Sequence, residues 1–189
     1  MATYRLLFLL GSLACLGFHY ADAGNLRIDP DSARAKVVKT AKSLLYVKEK
    51  HNHNDHPMIT EMFDKIGYPG MKKASWTSRM WCMAYVTYCF TENGIKTGIP
   101  GPAAVRNWKA AKSKRVPTGK AIKPADVAIF TWGSHGGLVV EAHPNPGFPF
   151  VYTYEGNTGA PRGELNQNQG VWPKTRLRRE ILCFIRIIN

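Results

Sequence analysis

The strongest constraint on this chain is a change of hydrophobic period near Pro117. Upstream of it apolar residues recur at helical spacing; downstream they gather in short runs rich in β-branched and aromatic side chains. Asp31-Ser32 is a helix-start signal for a segment reaching about Lys50, with Val37, Val38, Ala41, Leu44 and Leu45 on one stripe. Pro57 opens a second, short helix to about Ile66. A third starts near Ser78 or Trp81 and stops at Asn93-Gly94, and a weaker fourth covers residues 103–112. Residues 127–132, 137–142, 148–154 and 181–188 read as strands. Helices first and strands afterwards predict an α+β domain, N-terminal helices packed on a C-terminal antiparallel sheet. No repeat or linker interrupts this order.

The first residues are of another kind. Arg5 precedes an apolar run of about thirteen residues, and Ala21-Asp22-Ala23 is a small-x-small cleavage pattern. The run is well short of the ~20 residues that span a bilayer. Residues 1–23 are therefore expected to be a secretory signal peptide, and the mature protein to be secreted. Cleavage removes one arginine and one aspartate, so the formal net charge of +13 belongs to the remaining domain. That charge points to an anionic partner, and secretion makes nucleic acid the least suitable anion. No nucleic-acid module or basic-aromatic platform is recognisable either.

Cleavage also removes Cys15 and leaves Cys82, Cys89 and Cys183, an odd number for an oxidising compartment. In the third helix Cys82, Tyr85, Val86, Cys89 and Phe90 form one apolar stripe. Cys82 falls in the first turn, where unpaired N–H groups and the helix dipole favour a thiolate. A small buried core residue is the plainer role for such a cysteine. Cys89 reads as inert core, with a Cys89–Cys183 disulfide as the alternative. Further along, Ser134-His135-Gly136-Gly137 leads into an apolar strand, and residues 143–147 form a turn before a second strand ending in Glu155-Gly156-Asn157. A hairpin centred near Asn145 or Pro146 places His135 opposite residue 156 or so. Glu155 and Asn157 share a parity, so one of them can face the histidine. Thiolate, imidazole and an orienting carboxylate or amide make a complete nucleophilic set.

These residues resemble the CHAP family, the cysteine- and histidine-dependent amidohydrolase/peptidases, relatives of NlpC-type cell-wall peptidases with a papain-like fold. The resemblance runs from about His53 to the C-terminus. It is carried by Trp81-Cys82-Met83-Ala84-Tyr85-Val86, Ala104-Val105-Arg106-Asn107-Trp108 and Pro124-Ala125-Asp126-Val127-Ala128-Ile129-Phe130. Ser134-His135-Gly136-Gly137-Leu138-Val139-Val140, Glu155-Gly156-Asn157-Thr158 and Ile181-Leu182-Cys183-Phe184-Ile185-Arg186 complete it. It implies that Cys82 is the nucleophile, His135 the general base and then acid, and Glu155 the orienting group, with Asn157 assisting. The implied reaction is hydrolysis of amide bonds in bacterial peptidoglycan, in an antibacterial or wall-remodelling role.

The chain departs from the family in three places. Residues 72–80 lack the clustered aspartates of a calcium loop, so neither calcium nor another metal or cofactor is expected. Ala125 stands where the family has glycine, which asks only for an ordinary backbone angle. The basic helix within residues 24–50 lies outside the resemblance, leaving 51–189 as the catalytic domain.

His51, His53, Asp55 and His56 read as a solvated loop rather than a zinc site, with groove lining as the intermediate case. Trp81, Trp132 and Ser134 are candidate substrate contacts. Core packing explains the tryptophans, Trp76 and Trp172 included, equally well. Lys109, Lys112, Lys114 and Arg115, then Lys174, Arg176, Arg178 and Arg179, read singly as solvated faces and together as a hold on anionic wall polymer. A monomer without stable membrane insertion is expected. Two competing functions remain: a non-enzymatic cationic antimicrobial or wall-binding protein on the same fold, and an amidase acting on a glutathione–polyamine amide.

Overall fold

The computed structural model describes residues 29–71, 80–143, 145 and 147–189. The signal-peptide segment, Trp76 and most of the stretch compared with a calcium loop lie outside these. Four helices precede five strands: α1 (Pro30–Ser43), α2 (Pro57–Lys65), α3 (Cys82–Thr91), α4 (Val105–Ala110), β1 (Val127–Phe130), β2 (Gly136–Glu141), β3 (Phe150–Thr158), β4 (Gly170–Leu177) and β5 (Ile181–Ile185). The strands form one antiparallel sheet in the order β4-β3-β2-β1-β5. The α+β architecture expected from the change of period is present.

α1 is shorter than its hydrophobic pattern suggests. Asp29, not Asp31, caps it, accepting from the Asp31 and Ser32 N–H groups. The helix stops at Ser43 because the chain turns over Leu44, and Lys48 then pairs with Gly170 at the start of β4. A Cβ on Gly170 would lie 2.5 Å from the Val47 carbonyl oxygen, so this crossing requires glycine. Sequence periodicity reports which side of a segment is apolar; it does not register a tertiary pairing that pulls the chain out of the helix.

α3 is the centre of the molecule. Residues 82–90 are all buried, so what reads as a stripe in sequence is a helix enclosed all round. α3 packs against α1, α2, β2 and β3. Its approach to β3 depends on Gly156, where a Cβ would stand 2.7 Å from the Trp81 ring and 2.8 Å from the Tyr85 Cβ. The larger core, with Val127, Ile129, Leu138, Val171 and Ile185, lies between helices and sheet. A smaller one, with Ala128, Phe130, Val139, Val151 and Phe184, lies on the opposite sheet face. Successive side chains alternate across a strand, so Thr153 and Glu155 continue the row that begins at Val151 on this second face.

The N-terminal basic helix is bolted into the domain through one buried carboxylate. Asp126, fully buried at the entry to β1, accepts from Arg34 at 3.2 Å, from Arg186 at 3.0 and 2.7 Å, and from the Lys123 N–H at 2.8 Å. Arg34 also donates to the Pro124 and Ile188 carbonyls. Arg34 is thus a packed strut between α1, the β1 entry and the C-terminus. The neighbouring Ala125 takes a left-handed φ of +64° and is fully buried. The expectation of an ordinary angle there is therefore incorrect: the position needs the conformation that glycine adopts freely and alanine adopts at a cost.

Replacing Asp126 by asparagine leaves buried Arg34 and half-buried Arg186 without their anion. The expected loss is about 3–5 kcal/mol, a fall of roughly 10 °C in the thermal midpoint. A midpoint unchanged within about 1 °C in thermal unfolding would show that the Asp126 cluster does not secure the N-terminal helix.

Candidate active site

Cys82 opens α3 at a helix start that has no side-chain cap, because the capping position is Trp81. Cys82 is 1 % exposed and lines a cleft, and its thiol donates weakly to the Ser134 carbonyl at 3.8 Å. His135 precedes β2, with its ring stacked on Phe130 at 5.6 Å between centroids. Phe130 in turn stacks on Trp132 at 4.7 Å. His135 Nε2 lies 2.9 Å from Glu155 Oε2, and the Cys82 side chain is near enough to the imidazole to help hold its proton. Cys82, His135 and Glu155 therefore converge, brought together from a helix start, a strand entry and the second face of β3.

The hairpin register explains the meeting. Leu138 pairs with Tyr154 and Val139 with Thr153, a position sum of 292 against the expected 291. Gly137 makes room, since a Cβ there would meet the Glu155 Cγ at 2.5 Å. Asn157 is held apart from the relay. It sits at the β3–β4 register break with φ +55°, its amide donating toward the Met80 sulfur at 3.7 Å, on the cleft wall.

Glu155 is fully buried and has three side-chain donors. Besides His135, it accepts from Thr153 Oγ1 at 2.7 Å and from Arg176, whose Nε and Nη2 lie at 2.8 and 2.5 Å. Arg176 also covers the faces of Phe130 and Trp132, at 5.1 and 5.3 Å. The reading of Arg176 as a solvated cation is thus corrected: it holds the relay carboxylate. Burial pushes the Glu155 carboxyl up, but Arg176 and His135 together outweigh burial and hold it at about 2. For His135 burial pulls the imidazolium down, while the bonds and charges of Cys82 and Glu155 outweigh that and raise it to about 9. Cys89 is a different case, its thiol driven far up by complete burial. Cys82, Cys89 and Cys183 are all free thiols, so no Cys89–Cys183 disulfide is formed.

The relay lies between two clefts that share Met80. One, of about 670 Å³, is lined by His135, Trp132, Asn157, Arg176 and the loop asparagines 52 and 54. The other, of about 600 Å³, is lined by Cys82, Ser134, Tyr68, Met71, Arg106 and Lys109, with others. Trp132, half exposed, and Ser134 thus stand where substrate contacts were expected. Trp81 does not: it is fully buried and its indole N–H donates to Glu49 Oε1 at 2.9 Å. A side chain with no open surface cannot meet a substrate, so Trp81 is a core residue that fixes the helix start. The histidine-rich loop is occupied with its own structure, His51 pairing with Asp55 at 2.8 Å and His56 capping α2. Among the described residues no three His, Cys, Asp or Glu side chains converge as a metal site, and no helix is long and apolar enough to cross a membrane.

Sequence reasoning missed β4, Arg176 and Thr153. Pro173 inside a run of Lys174, Arg176 and Arg178 conceals a strand, although proline and lysine suit an edge position. Thr153 carried a usable signal, being two residues from Glu155 on the same strand face.

Residues 73–157 match the family model of the CHAP domain. No curated protein and no solved structure shows a significant match to the chain. The matched segment holds Cys82, His135 and Glu155; Arg176 lies beyond it. Over that segment the chain is similar to the CHAP domain, a family of amidases and peptidases associated with peptidoglycan.

Two titrations follow from the relay. The pairing that raises His135 contributes stability fully present below its unfolded value of ~6.5, and loses it as pH rises through about 9. The imidazole proton resonances of His135 should accordingly titrate near 9, and Glu155→Gln should move them down toward ~6.5. Titration of the parent near 6.5 would contradict the coupling. Glu155, depressed to about 2, contributes stability above its unfolded value of ~4.3 that is lost as pH falls toward 2. Arg176→Met should therefore raise the pH of acid unfolding, and an unchanged acid midpoint would remove Arg176 from this role.

Proposed function

We propose that this protein is a secreted cysteine amidase or endopeptidase that hydrolyses amide bonds of bacterial peptidoglycan. The observation that carries the reading is the convergence of Cys82 with the His135–Glu155 pair at the meeting point of two clefts, with all three residues inside the segment similar to the CHAP domain. Cys82 is the nucleophile: its sulfur attacks the amide carbonyl carbon, a C–S bond forms, and the carbonyl electrons move onto oxygen. The uncapped first turn of α3 supplies N–H groups for that oxyanion. His135, held as an imidazolium by Glu155, gives its proton to the leaving amine as the C–N bond breaks. A water then attacks the thioester carbonyl, His135 takes the water proton and becomes an imidazolium again, and the C–S bond breaks as the Cys82 thiolate leaves.

Glu155 does not exchange protons in this cycle. Fixed by Arg176 and Thr153, it keeps Nε2 of His135 protonated. The net charge of +13 keeps a monomeric enzyme near an anionic wall, so activity is expected to fall with ionic strength. The role is antibacterial or wall remodelling.

Incubating the protein with purified muropeptides and weighing the products tests the reading. The parent should add one water across a single amide bond, and Cys82→Ala should reduce the rate by at least about 10³-fold. Lysis or killing by Cys82→Ala equal to the parent would favour the wall-binding alternative and overturn the enzyme reading.

A further inference from the structure

The two clefts beside Cys82 differ in charge state. On the His135 side the cation is Arg176, and it is already spent on Glu155. On the Cys82 side the cations are Arg106 and Lys109, and the cleft lining contains no aspartate or glutamate among the described residues. Among the described residues no ion pair engages either side chain. Both project from α4, at i and i+3, so they share one side of the helix. α4 is a rigid mount, with Val105 and Trp108 buried and the Trp108 indole donating to the Pro102 carbonyl at 2.7 Å. The Asn107 amide holds the preceding loop through the Gly101 carbonyl at 2.8 Å. Around the cations the wall is apolar or aromatic, with Phe63, Tyr68 and Met71, which strengthens any charge pairing formed there.

We propose that the Cys82-side cleft is a carboxylate subsite, in which Arg106 and Lys109 select a substrate whose acyl portion bears a free acidic group. The direction of the substrate rests on the hydrolase reading above. His135 protonates the leaving amine, so the amine portion lies in the cleft it lines and the acyl portion lies toward α4. The amine side is then read by amide side chains, Asn52, Asn54 and Asn157 among them. A carboxamide in place of the acyl-side carboxylate keeps the shape and removes the charge-assisted bonds.

Binding separates this inference from turnover. Cys82→Ala protein would be titrated by calorimetry with a stem-peptide fragment carrying a free acyl-side carboxylate, and with the same fragment carrying a carboxamide. The carboxylate form should bind at least about tenfold more tightly, and Arg106→Gln/Lys109→Gln should erase the difference while leaving carboxamide binding unchanged. Lys39→Gln/Lys42→Gln, on the exposed side of α1, should preserve the preference. Equal or undetectable binding of both fragments, or equal loss with the α1 pair, would overturn the subsite. Absence of hydrolysis by the parent would overturn the enzymatic reading alone, because a tenfold preference in Cys82→Ala protein does not depend on turnover.

Discussion

A carboxylate taken fully out of water must be compensated at every oxygen, and Glu155 is where this protein meets that demand. Its donors are Thr153 on its own strand, Arg176 from β4 and His135 at the entry to β2. Those three partners set the imidazole beside the start of α3, where Cys82 also helps to hold its proton. Arg176 would otherwise be a surface cation; lying over Phe130 and Trp132, it closes the aromatic stack that also holds the imidazole ring. The position of the imidazole is thus set by packing and charge together.

The fold supports this arrangement from a distance through a second buried carboxylate. Asp126 joins α1, the entry to β1 and the end of the chain by way of Arg34 and Arg186. α1 therefore belongs to the same packed body as the CHAP segment, contributing Ala33, Val37 and Ala41 to the main core. A third buried carboxylate, Glu49, orients Trp81 and the loop that carries Asn52 and Asn54 into the cleft. Each of these acids organises backbone from separate parts of the sequence around one point.

Much of this was legible in the sequence. The change of period gave the class, and hairpin arithmetic brought Glu155 or Asn157 within reach of His135, with the family resemblance pointing to Glu155. The unreadable parts were those decided by partners distant in sequence. A helix pattern continued past Ser43 because only the pairing of Lys48 with Gly170 ends α1 there. β4 was invisible because its edge position tolerates Pro173 and charges that a central strand would reject. Arg176 looked like one more surface cation, since nothing local announces a buried acid 21 residues away. Trp81, adjacent to Cys82, invited a substrate role that complete burial removes. Ala125 carries a glycine-like backbone without glycine, a strain that composition does not display.

The proposed mechanism requires Cys82 to be the reactive thiol among the three described cysteines. Its central test is limited alkylation followed by peptide mass mapping, with hydrolytic activity followed in the same samples. Cys82 should take the first adduct near neutral pH, Cys89 should stay unmodified in the folded protein, and activity should disappear in proportion to Cys82 modification. A protein fully alkylated at Cys82 that still cleaves muropeptides would contradict the mechanism.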